Sequence, residues 1–310
     1  MNNNKMLLPI LFCSVCLIWG TTWLAMEVAL SSIPPIFATG MRFFIASPIL
    51  ILLSKAFKQP LMFPKGKRKW MFIIAIFYFA IPFTLMIAGE EYISSGLASV
   101  IFANMPIAVM ATSMVFLGLR LQPHQYVGIF ISVFSLYMIL SNELGISGDN
   151  VLLGAGALIL AVIIHSLMYV FVQTKCKGIQ VITYNALPCY IASMCLFATS
   201  FFAENVHFAA FTTHSILAVV YLGVIASVGG IVAYFKLGQV STPFTASICF
   251  LIFPLIALGL SDIVTHKTMS RESLLMLVPL LSGILVTKLP FDKLLQRFNL
   301  RSSKHEGQIG

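Results

Sequence analysis

The chain has 310 residues, of which 59% are hydrophobic and only 9% charged, against about 25% charged in a typical soluble domain. So few charges cannot cover the surface of a soluble protein of this length, which excludes a soluble enzyme, a nucleic-acid-binding domain and a disordered chain. The net charge of +9 is therefore read through its placement along the chain, as a membrane-orientation signal.

Apolar runs of spanning length are separated by short polar breaks. They predict ten helices, at 6–30, 34–54, 70–89, 92–117, 124–141, 151–173, 180–203, 213–237, 243–264 and 272–290. A helix that satisfies its own backbone across the hydrocarbon needs about 20 apolar residues. The alternative, a membrane barrel, would show alternating strands of about ten residues, and none is legible. The first apolar run lacks a small-residue cleavage site and is long enough to span, so it reads as a helix and not as a leader. The expected class is an all-α, multi-pass integral membrane protein.

Orientation follows from Lys and Arg. With the N-terminus inside, Lys5, the 55–69 loop, Arg120, Lys175, Lys177, Lys236 and the tail from Lys288 onward all fall on the cytoplasmic side. Of the 19 basic residues only Lys267 and Arg271 fall outside, and Arg42 falls within a helix. Glu90, Glu91, Glu143, Asp149, Glu204, Asp262 and Glu272 fall outside. Both termini are expected in the cytoplasm. The basic tail reads as a topology signal, with contact to membrane lipid as a second role.

The halves repeat. A shift of 148 residues brings Ala98-Ser99 onto Ala246-Ser247, Phe102 onto Phe250 and Pro106 onto Pro254. Each half holds five helices, an odd number, so the second would enter the membrane from the opposite side, the common architecture of secondary transporters. Five of the six cysteines, Cys13, Cys16, Cys189, Cys195 and Cys249, sit in apolar runs and read as small hydrophobes; Cys176 lies in a polar loop.

Three constellations carry candidate function. In the first helix Trp19, Trp23 and Glu27 are four apart and share a face; in the sixth, His165, Tyr169 and Gln173 do the same. Two such stripes facing each other across the repeat axis would suit an amphiphilic solute, or would fill gaps between helices. Pro106 and Pro254 each remove a backbone hydrogen bond, and serve as gate hinges or as static bends. Ser99 and Ser247, about two turns earlier, complete the candidate substrate-binding set. Glu27 and Arg42 lie at matching depth in neighbouring helices and are expected to pair, as a structural ion pair or a substrate anchor. No carboxylate falls at the bilayer centre. There is no GxSxG, HExxH or P-loop, so no catalytic residue, metal or cofactor is expected.

The motifs resemble a known family. Ile18-Trp19-Gly20-Thr21-Thr22-Trp23, Arg42-Phe43-Phe44, Tyr92-Ile93-Ser94-Ser95-Gly96-Leu97-Ala98-Ser99, Pro106, Leu117-Gly118-Leu119-Arg120-Leu121 and Gly128 resemble, in order and spacing, the ten-helix EamA-type members of the drug/metabolite transporter superfamily. Two departures stand out: Leu119 replaces the family's usual glutamate, and Thr265-His266-Lys267-Thr268 replaces its second-half counterpart. The resemblance implies two EamA-like five-helix repeats, at 1–145 and, inverted, at 146–290, followed by a basic cytoplasmic tail at 291–310. It implies a secondary transporter of the inner membrane for amino acids, their derivatives or other small metabolites, exporting by alternating access. The alternatives are an importer of a nucleoside-like or cofactor-like metabolite, or a non-transporting assembly partner. Expected partners are a small-molecule substrate, membrane lipid and, as a candidate, coupling protons; no nucleic acid is expected.

Overall fold

A computed structural model describes residues 3–147 and 150–289; Asp149 and the 291–310 tail lie outside the described residues. Among the described residues the regular structure is all helical. The helices are α1 (Asn3–Leu30), α2 (Pro35–Ala56), α3 (Lys65–Gly89), α4 (Ser95–Leu117), α5 (Pro123–Ser147), α6 (Asn150–Lys175), α7 (Val181–Ala203), α8 (Thr213–Val240), α9 (Pro243–Leu260) and α10 (Arg271–Lys288). Among the described residues nine are long and apolar enough to cross a membrane; α10 falls outside that set and carries Arg271, Glu272 and Lys288 within its 18 residues. The predicted spans match these helices to within a few residues. The fourth starts at Ser95 and not at 92, because Ser94 caps it, its hydroxyl accepting from Leu97 N at 3.2 Å.

The packing looks the same from either half. α1 packs on α8 and α9, while α6 packs on α3 and α4. α2 pairs with α7, α5 pairs with α10, and α4 meets α9. Exchanging the first five helices for the last five maps this pattern onto itself. The tightest seam joins α5 to α10. A Cβ added at Gly128 would lie 2.6 Å from Gly283 O, so these backbones touch only because both residues lack side chains. Ser132 Oγ closes the seam by donating to Leu280 O at 3.0 Å.

Three acids at one end of the bundle stitch it together. Glu204 accepts from Ile36 N and Phe37 N at 2.7 and 2.9 Å and caps α2. Glu143 accepts from Ser270 N at 3.1 Å at the start of α10. Glu27 accepts from Ser95 N at 3.4 Å at the start of α4. Each carboxylate sits where helix N–H groups lack intrahelical partners and the helix dipole is positive.

The perimeter is strongly apolar. Phe130, Phe201 and Phe202 are 70%, 80% and 86% exposed, which water would oppose and lipid favours. All six cysteines are free. Cys16, Cys189 and Cys249 are buried as expected, Cys13 is exposed, and Cys176, expected in a polar loop, is buried.

Irregular backbone occurs at corresponding places. α3 and α8 are interrupted by π-helical stretches, Ala75–Ala80 and Leu222–Gly229. α4 breaks between Phe102 and Met105, and Pro106 opens its second segment. α9 runs unbroken through Pro254 to Leu260 and ends in a π turn, Ser261–Thr265. The difference has a side-chain cause. Asn104 Nδ2 donates to Val100 O and Ile101 O at 3.1 and 3.4 Å, competing with the helical ladder just where Pro106 has removed a donor. The residue 148 positions later is Ile252, which cannot compete. Asn104 thus bonds within its own helix.

Candidate functional site

The two sequence stripes meet through a residue that belongs to neither. The ring of Phe102, at the α4 break, lies 5.4 Å from Trp23 on α1 and 5.8 Å from His165 on α6. Trp19, a turn further along α1, packs at 4.8 Å on Tyr234 and 5.4 Å on Phe250. Gly230 lets it do so, since a Cβ there would stand 3.1 Å from Trp19 Nε1. Thus Trp19, Trp23 and His165 border one aromatic tract across α1, α3, α4, α6, α8 and α9, and Tyr169, one turn beyond His165 on α6, is 38% exposed. Trp23 and His165 are buried, and His165 Nδ1 is without a hydrogen-bond partner among the described residues.

The π-helical stretches feed this tract. Tyr78, in that of α3, contacts the His165 ring at 5.1 Å. Ser227, in that of α8, accepts from Arg42 Nε at 2.8 Å. A π stretch turns side chains away from the α-helical register and often marks a functional site. Arg42 itself is buried, its guanidinium 4.7 Å above the Phe83 ring. Phe83 also contacts His165, at 5.2 Å, so a cation and an imidazole meet one ring. A desolvated cation–π contact contributes about 2 kcal/mol, which does not offset the burial of a full charge.

The expected Glu27–Arg42 pair does not form. Glu27 Oε1 instead meets Lys267 Nζ at 2.7 Å, and no carboxylate of the described residues lies within 4 Å of Arg42. The two helices are neighbours, as the short 31–34 connection required. The pairing fails because Arg42 turns toward α8 and Phe83, while Lys267, in the segment read as a departure from the family pattern, reaches Glu27 first.

Ser99 stays apart from the tract's polar groups. Ser99 is fully buried and donates to Gly96 O within its own helix, at 2.6 Å. Ser247 is half-buried on α9, and its contacts are already made. Pro106 and Pro254 are both buried.

Beyond the tract an open cavity of about 510 Å³ is lined by Glu27, Ser31, Glu90, Glu91, Thr265 and Lys267, among others. Glu90, one of the acids expected outside the membrane, was not among the candidate site residues. It is only 3% exposed, and neither carboxylate oxygen has a hydrogen bond. Burial, and then the Glu27 charge, hold its carboxyl well above the usual carboxylate range, against the opposing pull of Lys267 and Arg42. Its neighbour Glu91 is exposed, and is raised mainly by partial burial. Phe83, Phe102, Tyr234 and Ser227 were also missed. Phe102 alone had a signal, since the repeat shift pairs it with Phe250.

The profile of the EamA-like transporter family matches residues 6–141 and, a second time, residues 152–289. The chain belongs to the EamA-like transporter family. It is 47% identical over 284 residues to Protein PagO of Salmonella typhimurium, covering 92% of this chain and 93% of that protein. It is 43% identical over 289 residues to an uncharacterized transporter of Buchnera aphidicola subsp. Schizaphis graminum, covering 93% and 96%. The uncharacterized transporter YoaV of Bacillus subtilis is 26% identical, over 90% of this chain and 96% of that protein. A crystal structure of another protein superposes with a TM-score of 0.65 at 16% identity, covering 89% of this chain and 94% of that one, which establishes a shared fold. As an EamA-like transporter the chain is a multi-pass membrane protein whose substrate is a small molecule. Its chemistry is recognition and passage, and the aromatic tract with the cavity beyond it holds the buried ionisable residues Arg42, His165 and Glu90.

Proposed function

We propose that this EamA-like chain is a secondary transporter of amino acids or amino-acid-like metabolites across the inner membrane. It works as an exporter by alternating access between two inverted halves, 1–145 and 146–290, with both termini in the cytoplasm. The observation that carries the substrate class is Arg42. A guanidinium buried on an aromatic wall, with no carboxylate of the described residues within 4 Å, is a ready partner for a solute carboxylate, which it engages through paired donors. The wall formed by Phe83, Phe102, Trp23 and His165 then offers apolar contact for the rest of the solute. Support for alternating access comes from the contact pattern, unchanged on exchange of the halves, and from the matched π stretches of α3 and α8, each a point where a helix can bend.

The test is counterflow of radiolabelled L-phenylalanine in proteoliposomes holding only this protein. Saturable exchange is expected for the parent, with Arg42→Lys at least tenfold weaker while its thermal midpoint stays near the parent's. Absence of exchange for every amino acid tried would overturn the reading and leave the assembly-partner alternative.

A further inference from the structure

Among the described acids at this end of the bundle that are not exposed, three have a structural task and one has none. Glu27 meets Lys267 and the start of α4, Glu143 holds the start of α10, and Glu204 caps α2. Glu90 is more deeply buried than Glu27 and has no partner on either oxygen. An unsatisfied buried carboxylate is among the costliest groups a fold can keep. Native proteins pair such groups, so an exception calls for a reason.

The cavity that Glu90 lines supplies one. Lys267 already answers Glu27, leaving Glu90 and Glu91 as its unbalanced charges. Ser31 and Thr265 add hydroxyls. Among the described residues no group of three or more metal-ligating side chains comes together, and an ammonium at Lys267 would repel a divalent ion. What fits is a group with one positive charge and several N–H donors. About 510 Å³ is within the range of sites for small organic solutes, about 300–1,000 Å³. On its other side the Glu90 carboxyl is in electrostatic range of Arg42, two turns down α2.

We infer that Glu90 is the anchor for the primary ammonium group of the transported solute, taken up in the cavity between α1, α3 and the α9–α10 connection. The inference rests on the amino-acid reading above and deepens it. A zwitterion would lie with its ammonium at Glu90 and its carboxylate toward Arg42, matching the order of charges along the site. Binding supplies the donors that Glu90 lacks, so the cost of the empty site is recovered when solute arrives.

The experiment uses the purified full chain and three probes that share one ring: phenethylamine, with only the ammonium; 3-phenylpropionate, with only the carboxylate; and L-phenylalanine, with both. A ligand of the folded state raises the thermal midpoint in a concentration-dependent way. Phenethylamine and L-phenylalanine are expected to stabilise the parent. In Glu90→Gln their apparent affinity should fall at least tenfold, while that of 3-phenylpropionate stays unchanged. Glu90→Gln without ligand should be no less stable than the parent, because it removes a stranded carboxylate. Should it fail to fold, Glu90→Asp provides the comparison, with amine affinity reduced and 3-phenylpropionate unaffected. Equal amine affinity in parent and variant overturns the inference, as does a parent that neither amine stabilises. Counterflow separates the two claims: amine binding through Glu90 without L-phenylalanine exchange sinks the transport reading alone, and exchange unaffected by Glu90→Gln sinks the anchor alone.

Discussion

Glu27 Oε1 lies 2.7 Å from Lys267 Nζ, so the acid at the end of the first helix is answered by a base from the second half of the chain. Lys267 is 54% exposed and Glu27 only 11%, which makes the pair a half-solvated clamp between α1 and the end of α9. Exposed pairs contribute about 0–1 kcal/mol after solvent screening. A double-mutant cycle between Glu27→Gln and Lys267→Gln should therefore return a coupling of up to about 1 kcal/mol, weakened by salt. The same cycle between Glu27 and Arg42 should be additive to within about 0.5 kcal/mol. A larger Glu27–Arg42 term would restore the pairing that the side-chain geometry denies.

Two acids at the same end of the bundle should respond oppositely to neutralisation. Glu204 accepts three short hydrogen bonds, from Ile36 N, Phe37 N and Ser200 Oγ, and Glu204→Gln should cost about 1–2 kcal/mol, the usual cost of losing a cap. Glu90→Gln should stabilise. Because the folded protein holds the Glu90 carboxyl above its ordinary value, the unfolded chain loses that proton first as pH rises. Glu90 then weakens the fold progressively from its unfolded pKa upward, until its folded pKa is passed. The stability gap between Glu90→Gln and the parent should accordingly widen from about pH 4.5 toward neutrality. Glu27, Lys267 and Arg42 surround the same carboxyl and are present in both proteins, so the difference isolates Glu90. A gap that is flat with pH would mean that Glu90 ionises normally.

Close backbone contact makes a sharper stability prediction. Gly128→Ala would drive a methyl to 2.6 Å from Gly283 O, and forcing α5 from α10 should cost about 1–3 kcal/mol. Gly156, in the middle of α6, has nothing within 4 Å of an added Cβ. Gly156→Ala should therefore be neutral or stabilising by up to about 1 kcal/mol through helix propensity. Thermal midpoints of the two variants in one detergent give the comparison, and equal shifts would refute the seam.

Much of the fold was legible because lipid imposes a strong rule. Each span must be long, apolar and helical, so the ten apolar runs correspond to ten helices among the described residues, nine of them long and apolar enough to cross a membrane. The family pattern was legible for a related reason, since Gly128 marks a contact that admits no side chain. Partners of charged groups were not. Whether Arg42 turns toward Glu27 or toward Ser227 depends on the π stretch at Leu222–Gly229, and no local residue pattern announces a π turn. Glu90 was lost for a different reason. Two adjacent glutamates at a helix end are indistinguishable in sequence, yet a single step around the helix buries Glu90 and leaves Glu91 in the open. Pro106 and Pro254 looked equivalent in sequence, and Asn104 makes them unequal.

Orientation is tested with single cysteines in a cysteine-free background. A membrane-impermeant maleimide should label position 91 from outside intact cells and leave position 67 unmodified until the cells are opened. Labelling of position 67 from outside would reverse the orientation, and with it the assignment of Glu90 to the outer face.

The aromatic tract should govern affinity through Phe102, the ring that joins the two sequence stripes. Trp23 and His165 both rest on it, and it sits where α4 breaks. Phe102→Ala removes the bridge and opens a void, expected to cost about 3–5 kcal/mol if the site cannot collapse. Phe102→Leu keeps most of the volume and should hold stability to within about 1.5 kcal/mol while losing the ring contacts. If the tract lines the solute path, Phe102→Leu, Trp23→Leu and Tyr169→Leu should each weaken L-phenylalanine counterflow several-fold, and His165→Gln should change its pH dependence. Leu251→Ala, on α9 and outside the tract's ring contacts, should leave affinity unchanged. Parent-like counterflow in all three leucine variants would make the rings helix packing alone, and would move the search for the path to the broken α4 and its partner α9.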